Sequence, residues 1–276
     1  MIKILNLFFL LTIFPVILYS QISIESNNLK NKVKIQKIKE INSYKAIQIN
    51  TPSENYEIEF QYVFDSLGYM VEKNSFYNGL VIQKEIFTYD KKGNIMEELW
   101  YNSDNSLIYN NYSTFEFDKK GNIITKNIFN SDSSMRKSLL YQYDENGRLA
   151  ESDVQEYFEE GENYKEKYFY DDKGKLDNHK IISTEGSEIL NEIYSYDESG
   201  NVILIKSDGD EEEKTISFEY DSANNLIHYI SETVDDEGKD YIEGQSNYDT
   251  KGNLTEELIY DENKMLIDKR KFEITF

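Results

Sequence analysis

The sequence predicts an all-β protein: an array of antiparallel β-hairpin repeats, of about 26 residues each, that forms one long, twisted and curled sheet. Three observations support this prediction: a turn motif that recurs at a regular spacing, columns of aromatic residues beside it, and the overall composition. The chain contains 23 Tyr and 15 Phe but only 2 Pro. Aromatic residues favour strands, whereas proline is confined to strand ends and sheet edges.

Residues 1–20 have the pattern of a secretory signal peptide. A lysine precedes an apolar run from residue 4 to residue 18, and Ser20 is a small residue before the expected cleavage position. The run is shorter than the ~20 residues that a membrane span needs, and Pro15 interrupts it. We therefore expect export with cleavage, no membrane span afterwards, and a secreted, periplasmic or cell-envelope location.

Residues 21–46 form a basic lead-in segment ahead of an acidic repeat domain at 47–276. The segment contains six lysines and two glutamates, a net charge of +4, whereas the whole chain has a net charge of −22. Two interpretations remain open. The segment is either a solvated linker or first strand, or a segment that docks back onto the acidic body. Charge runs are usually solvated, which favours the first interpretation.

One turn motif organises the repeat domain. An aromatic residue and Asp are followed by two variable residues and Gly, eight times, at a mean spacing of about 26 residues. This order is typical of a type I turn with a G1 bulge, because Asp accepts backbone N–H bonds and Gly adopts positive φ. Asn224 replaces Gly in one copy, and a shortened ninth copy at Asp261 is interpreted as a degenerate terminal turn. The eight aspartates are Asp65, Asp90, Asp118, Asp144, Asp171, Asp197, Asp221 and Asp249.

The turn also predicts the register of the strands that flank it. The aromatic residue before Asp lies across from the second residue after Gly, which is apolar in all eight copies. A second aromatic residue stands two positions earlier in seven copies, with Ser246 as the exception. These columns predict one aromatic core face and one polar face toward water. The fifteen aromatic residues are Tyr62, Phe64, Phe87, Tyr89, Phe115, Phe117, Tyr141, Tyr143, Tyr168, Tyr170, Tyr194, Tyr196, Phe218, Tyr220 and Tyr248.

The motif resembles the YD repeat of the bacterial RHS family, whose signature is Tyr-Asp-x-x-Gly-Asn/Arg-Leu/Val. The best matches are residues 89–95, 143–149, 196–202 and 248–254, and the resemblance covers about 200 residues. Long arrays in that family form spiralling β-sheets, and the largest build shells around a toxic cargo, so the resemblance implies a spiralling sheet here. The sequence is also similar, more weakly, to the MORN-type repeats of YwqK-like antitoxin proteins.

The composition argues against several classes of function. A net charge of −22 repels phosphate backbones, so we expect no nucleic-acid partner. The absence of cysteine excludes disulfides, thiolate nucleophiles and thiol-rich zinc sites. We therefore predict a protein that is not an enzyme, with no catalytic, cofactor-binding or metal-binding residues and no cofactor.

The two histidines are the first candidates for chemistry. Nucleophilic catalysis needs a base within hydrogen-bond reach of an activated nucleophile. His179 and His228 follow different turns, and strand alternation predicts that they lie on opposite faces of the sheet. We therefore expect a structural or surface role for each histidine.

Carboxylates are the second group of candidates. Four glutamates, Glu72, Glu97, Glu151 and Glu256, stand four residues after a turn glycine and are predicted on the aromatic face. There they could bind sugar hydroxyls or act as the paired acids of a glycosidase, but their recurrence favours a structural role. The acidic runs at 208–213 and 235–237 could hold calcium, although neither has the spacing of the known calcium loop.

The leading functional prediction is an exported, non-enzymatic repeat protein that acts as a binding or structural surface in the cell envelope or outside it. Its partner is expected to be a protein or a glycan surface. The alternative is a toxin-neutralising immunity or antitoxin-like protein, whose acidic face covers a basic toxin. An enzyme that acts on glycans is the third hypothesis.

Overall fold

A computed structural model describes residues 37–47, 54–158, 161–210 and 212–276. Within these residues the chain forms eighteen β-strands, each antiparallel to the strand before it and the strand after it. The strands are β1 (Glu40–Ala46), β2 (Tyr56–Phe64), β3 (Met70–Tyr77), β4 (Leu80–Tyr89), β5 (Ile95–Asn102), β6 (Leu107–Phe117), β7 (Ile123–Asn130), β8 (Met135–Tyr143), β9 (Leu149–Glu156), β10 (Tyr164–Tyr170), β11 (Leu176–Ser183), β12 (Glu188–Tyr196), β13 (Val202–Gly209), β14 (Glu212–Tyr220), β15 (Leu226–Asp235), β16 (Gly238–Tyr248), β17 (Leu254–Tyr260) and β18 (Leu266–Thr275).

The sheet closes on itself. β1 pairs with β2 on one side and with β18 on the other, and β9 pairs with β10, so that every described strand has two neighbours. The prediction of an all-β, antiparallel hairpin array is therefore confirmed, but the long, twisted and curled sheet that the sequence predicts is closed, not open. The array is an 18-stranded barrel, because β1 satisfies the backbone N–H and C=O groups of both edges, which an open sheet would leave unpaired.

The strand that closes the barrel belongs to the basic lead-in segment. β1 lies within residues 21–46, so the sheet begins before residue 47. Residues 1–20, for which a signal peptide is predicted, and the first part of the lead-in lie outside the described residues.

The eight Asp turns have the geometry that the sequence predicts. In one copy, the Asp118 carbonyl oxygen accepts the Gly121 N–H at 3.0 Å, and Oδ1 of Asp118 accepts the N–H of Lys120 and of Asn122. The fourth turn residue has positive φ in every copy, 91° at Gly121 and 62° at Asn224. Asn122 also donates to Oδ2 of Asp118 at 2.9 Å, which explains the polar residue after the glycine.

The opposite end of the barrel uses the same turn geometry four times, without a common sequence motif. Among the described residues, these turns begin at Asn102, Asn130, Ser183 and Asp261. As in the Asp turns, the N–H of the first residue donates to the carbonyl oxygen of the fifth, and the N–H of the fourth donates to the carbonyl oxygen of the first. Their fourth residues also have positive φ: Asn105, Ser133, Gly186 and Lys264. The shortened ninth copy at Asp261 is therefore a turn, but it lies at the other end of the barrel from the eight regular copies.

Tyrosine hydroxyls link neighbouring repeats. The hydroxyl of Tyr143, the residue before a turn Asp, donates to the carbonyl oxygen of Ile123 in the preceding repeat at 2.7 Å. Tyr89, Tyr170, Tyr196, Tyr220 and Tyr248 donate in the same way to the main-chain carbonyls of Met70, Leu149, Leu176, Val202 and Leu226. Because phenylalanine has no hydroxyl to donate, these bonds explain why tyrosine predominates before Asp.

We expect Gly121→Val to lower the free energy of unfolding by ~1–3 kcal/mol, because a β-branched residue is strained at positive φ. Gly121→Asn should cost much less, since Asn224 has this conformation in the equivalent turn. A Cβ at Gly121 meets no atom within 4 Å, so backbone strain, not a clash, determines the difference. Urea unfolding of both variants measures this difference in the free energy of unfolding. Equal losses of stability in the two variants would contradict the turn assignment.

A cluster of buried hydrophobic residues lies on β13, β14, β15 and β17. Ile205, Ile216, Phe218, Tyr229 and Ile259 form one buried cluster there. Gly244 permits this packing, because a Cβ at that position would overlap the Tyr229 ring. An absent side chain on β16 therefore makes room for an aromatic ring from β15.

Candidate functional site: the inner wall of the barrel

The aromatic face is the inner wall of the barrel. All seven of the buried hydrophobic residues that lie within β4, β9, β13, β14, β15 and β17 belong to this face: Phe87, Val154, Ile205, Ile216, Phe218, Tyr229 and Ile259. Burial also raises the pKa of its tyrosines, as at Tyr62 and Tyr141. The opposite face, the outer wall, leaves large apolar side chains such as Phe169 and Ile193 almost half exposed.

The inner wall is only partly covered. Of the fifteen predicted aromatic residues, thirteen are half-buried, and only Phe87 and Phe218 are buried. The rings therefore keep part of their surface accessible to solvent. The single tryptophan, Trp100, also lies on this wall, because its register partners are Glu85 and Tyr109.

Carboxylates stand beside several of these rings. On β5, the Trp100 indole N–H donates to Glu98 at 2.7 Å. On β10, the Tyr168 hydroxyl donates to Glu166 at 2.6 Å, and on β12 the Tyr194 hydroxyl donates to Glu192 at 2.7 Å. Each pair consists of an acid and an aromatic residue two positions apart, so both side chains point to the inner wall.

His179 belongs to one of these groups. Its ring stacks on Tyr168, with centroids 4.7 Å apart, and its Nδ1 lies 3.1 Å from Oε2 of Glu192. Burial acts to raise the pKa of Glu192, but hydrogen bonds from His179 and Tyr194 hold it below its usual value. His179 thus contacts one acid, Glu192, and one tyrosine, Tyr168, while Tyr194 donates to the same acid, an arrangement that can orient a polar ligand.

His228 lies on the outer wall, so the prediction that the two histidines lie on opposite faces is confirmed. Its Nε2 is 3.0 Å from Oε1 of Glu243. Lys264 also contacts Glu243, and its hydrogen bond, with that of His228, lowers the pKa of Glu243 to about 2. This outer cluster connects β15 and β16 with the turn at Asp261.

The four recurring glutamates are not on the aromatic face, and that prediction is wrong. The bulge beside each Asp turn inserts an extra residue, so Phe64 pairs with Met70 but Glu72 pairs with Val63. The same shift places Glu97, Glu151 and Glu256 on the outer wall. Three of the four form ion pairs there: Glu72 with Lys84 at 2.9 Å, Glu151 with Lys165 at 3.3 Å, and Glu256 with Lys269 at 3.4 Å.

The residue one position later faces the inner wall instead. The type of side chain at this position differs from repeat to repeat. The eight residues are Lys73, Glu98, Lys126, Ser152, His179, Ile205, Tyr229 and Glu257. Sequence reasoning missed this column, although the predicted G1 bulge already implies the shift of face.

A charged group on the inner wall lies where the barrel closes. Arg270 on β18 contacts Glu59 on β2 at 2.8 Å, Asp268 on β18 at 2.8 Å and Glu257 on β17 at 3.6 Å. We call these four residues the seam cluster. Burial raises the pKa of Glu257 to about 7. No repeated motif marks these residues, so the sequence carries no signal that they meet.

The acidic runs have a local explanation in part. Oδ1 of Asp235 accepts the N–H groups of Glu237 and Gly238, which caps the β15–β16 hairpin. The run at 208–213 includes residue 211, which lies outside the described residues. Among the residues that the structure describes, no three His, Asp or Glu side chains are grouped as metal ligands would be.

No helix within residues 37–47, 54–158, 161–210 and 212–276 combines the length and the apolarity that a membrane crossing requires.

Comparisons with known proteins identify no family. No family model matches the chain, and no curated protein matches it. Among solved structures, a porin-like protein of Bacteroides uniformis is similar at TM-score 0.45 and 12% identity, over 86% of this chain and 96% of that one. A porin-like protein of Bacteroides vulgatus gives TM-score 0.37 and 10% identity, over 86% and 98%.

A third similar structure is the Tc holotoxin pore of Photorhabdus luminescens. Its TM-score is 0.34 and its identity 16%, over 79% of this chain. The chain spans 13% of the length of that toxin chain.

Proposed function

We propose that the protein is an exported, non-enzymatic binding protein of the cell envelope or exterior, and that the inner wall is its binding surface. The observation that supports this most directly is the accessibility of the wall, where thirteen of fifteen aromatic residues are only half-buried. Binding sites typically combine aromatic surface with a few polar groups that orient the ligand. The pairs Glu166–Tyr168 and Glu192–Tyr194 supply that combination.

The chemistry of the outer wall supports a barrel that stands in water. Glu151 and Asp153 on β9 both pair with Lys165 on β10, and Lys167 lies 3.9 Å from Glu151. A barrel that crosses a lipid bilayer presents a band of apolar side chains on its outer wall, along the middle of its strands. Ion pairs between neighbouring strands of the outer wall therefore support an outer wall that faces water.

The repetition of the wall supports binding over catalysis. The acid–aromatic pairs recur on β5, β10 and β12, whereas a catalytic site is a single arrangement of nucleophile, base and orienting group. Repeated subsites suit an extended ligand, such as a glycan or a polypeptide segment, that contacts several strands in turn.

The toxin-neutralising hypothesis remains the second proposal. Its support is the net charge of −22, which would steer a basic partner toward the barrel. In that case a toxin, and no glycan, would be the ligand.

A binding experiment tests the proposal. The fluorescence of Trp100, which lies on the inner wall, is recorded while neutral oligosaccharides and synthetic peptides are added. We expect either the oligosaccharides or the peptides to change the Trp100 fluorescence in a saturable way. Calorimetry of the same titration with Tyr168→Ala should then show affinity lowered roughly tenfold, the effect of truncating an aromatic anchor.

The matched control is Tyr112→Ala, which removes an outer-wall ring that stacks on Phe129. It should leave affinity within about twofold of the wild-type value, since it touches no inner-wall residue. If neither class of ligand binds, or if Tyr112→Ala weakens binding as much as Tyr168→Ala does, the proposal is wrong.

A further inference from the structure

An exposed apolar surface lies at the end of the barrel opposite the Asp turns. Six large side chains on the β3–β4 and β5–β6 hairpins form it: Tyr77, Leu80, Val81, Ile82, Leu107 and Ile108. We call this surface the rim patch. Leu80 is 72% exposed, Tyr77 67% and Ile108 58%, which is high for side chains of this kind.

The two hairpins are neighbours, so the two parts of the rim patch lie side by side. β4 pairs with β5 up to Gln83 and Asn102, directly beside the two tips. Ile82 and Ile108 are both the extra residue of a bulge, since Gln83 pairs with Ser75 while Val81 pairs with Phe76, and the ladder shifts in the same way around Ile108. A bulge leaves its extra residue outside the ladder and bends the strand, which exposes these isoleucines further.

The rim patch also carries little charge. Residues 76–82 contain no charged side chain, and residues 102–108 contain one, Asp104, in a chain of which 30% of the residues are charged. Other tips at the same end of the barrel are acidic, with Glu185 between β11 and β12 and three acids in a row at 235–237. The β3–β4 tip is therefore uncharged, whereas the β5–β6 tip carries one acid, as the β11–β12 tip does.

We propose that the rim patch is the contact surface between two copies of this chain. A two-fold contact brings the same patch together from both copies, which suits a surface whose six large exposed side chains are all uncharged. The acidic tips lie across the barrel, on β11–β16, so this contact keeps the like charges of the two copies apart.

The extent of the rim patch fits such a contact. A half-exposed side chain of this size offers on the order of 100 Å². Six of them offer about 600 Å², three quarters of the roughly 800 Å² per partner that a stable interface of ordinary size buries. Tyr77 is also the type of residue that is enriched in the centres of interfaces.

Sedimentation of the purified chain over a range of micromolar concentrations tests this proposal. We expect the wild type to be dimeric and Leu80→Asp/Ile108→Asp to be monomeric, with a dimer dissociation constant raised roughly 100-fold or more, because each contact would bury four unpaired carboxylates. Both side chains are exposed, so circular dichroism of the variant should remain that of the wild type.

The control is Phe169→Asp/Ile193→Asp, which changes two exposed outer-wall side chains away from the rim patch. Phe169 is 46% exposed and Ile193 47%. This variant should remain dimeric. A monomeric wild type, or a control that dissociates as readily as the rim variant, would overturn the proposal. A monomeric wild type that floats with phosphatidylcholine vesicles, and loses flotation in the rim variant, would reassign the rim patch to a lipid surface.

Discussion

Arg270→Ala is expected to lower the free energy of unfolding by about 3–5 kcal/mol, the typical effect of removing one partner from a buried ion pair. Arg270 is the cation of the seam cluster, and its side chain is only 12% exposed. Without it, Glu59, Glu257 and Asp268 would remain together on the inner wall with no compensating guanidinium. The loss should be visible in urea unfolding followed by far-UV circular dichroism.

The expected loss also depends on the position of the cluster. Arg270 and Glu59 connect β18 with β2 across β1, the strand that closes the barrel. Lys165→Ala is the control, because Lys165 forms two ion pairs on the outer wall but is 45% exposed, and exposed ion pairs contribute little to stability. If Arg270→Ala loses no more stability than Lys165→Ala, the seam cluster does not stabilise the closure.

The second large effect is a dependence of stability on pH that Glu257 causes. Burial raises the pKa of Glu257 from 4.5 to about 7 in the folded barrel, with Asp268 and Glu59 adding to the rise and Arg270 opposing it. Between these two values the folded protein keeps a proton that the unfolded chain has already released. The contribution of Glu257 to stability therefore falls as pH rises through this window, by on the order of 2–3 kcal/mol.

Glu257→Gln should remove this dependence, because glutamine does not titrate. Urea unfolding at about pH 5 and about pH 8 is expected to show a larger decrease with rising pH for the wild type than for the variant. Glu256→Gln, at the adjacent outer-wall position beside Lys269, should keep the wild-type profile. A Glu257→Gln profile parallel to that of the wild type would contradict the assigned pKa.

Local features of the fold followed from the sequence because the residues that determine each hairpin lie within one repeat. The Asp turns need only five consecutive residues, and their register follows from the turn: Phe64 opposite Met70 and Tyr143 opposite Leu149. The face of the recurring glutamates could also have been derived, since the same turn type carries a bulge. Strict alternation predicts Glu72 on the aromatic face, but the extra residue of the bulge turns it to the outer wall, opposite Val63.

The composition of the inner wall was harder to predict. Its acid–aromatic pairs follow a two-residue spacing, as in Glu166 and Tyr168, which is visible once the face of the strand is known. The seam cluster has no such signal. Arg270 and Glu59 are separated by 211 residues, and their contact depends on which strands become neighbours when the sheet closes.

The sequence by itself determined the hairpin, the repeat length, the antiparallel pairing and the aromatic columns, because these depend on interactions within one or two adjacent repeats. Only the tertiary structure decided that the array closes, that β1 supplies the closing strand, and that the columns form an inner wall. The reason is physical: small twists between neighbouring strands accumulate over eighteen strands, and no single repeat specifies whether the two ends of the sheet will meet.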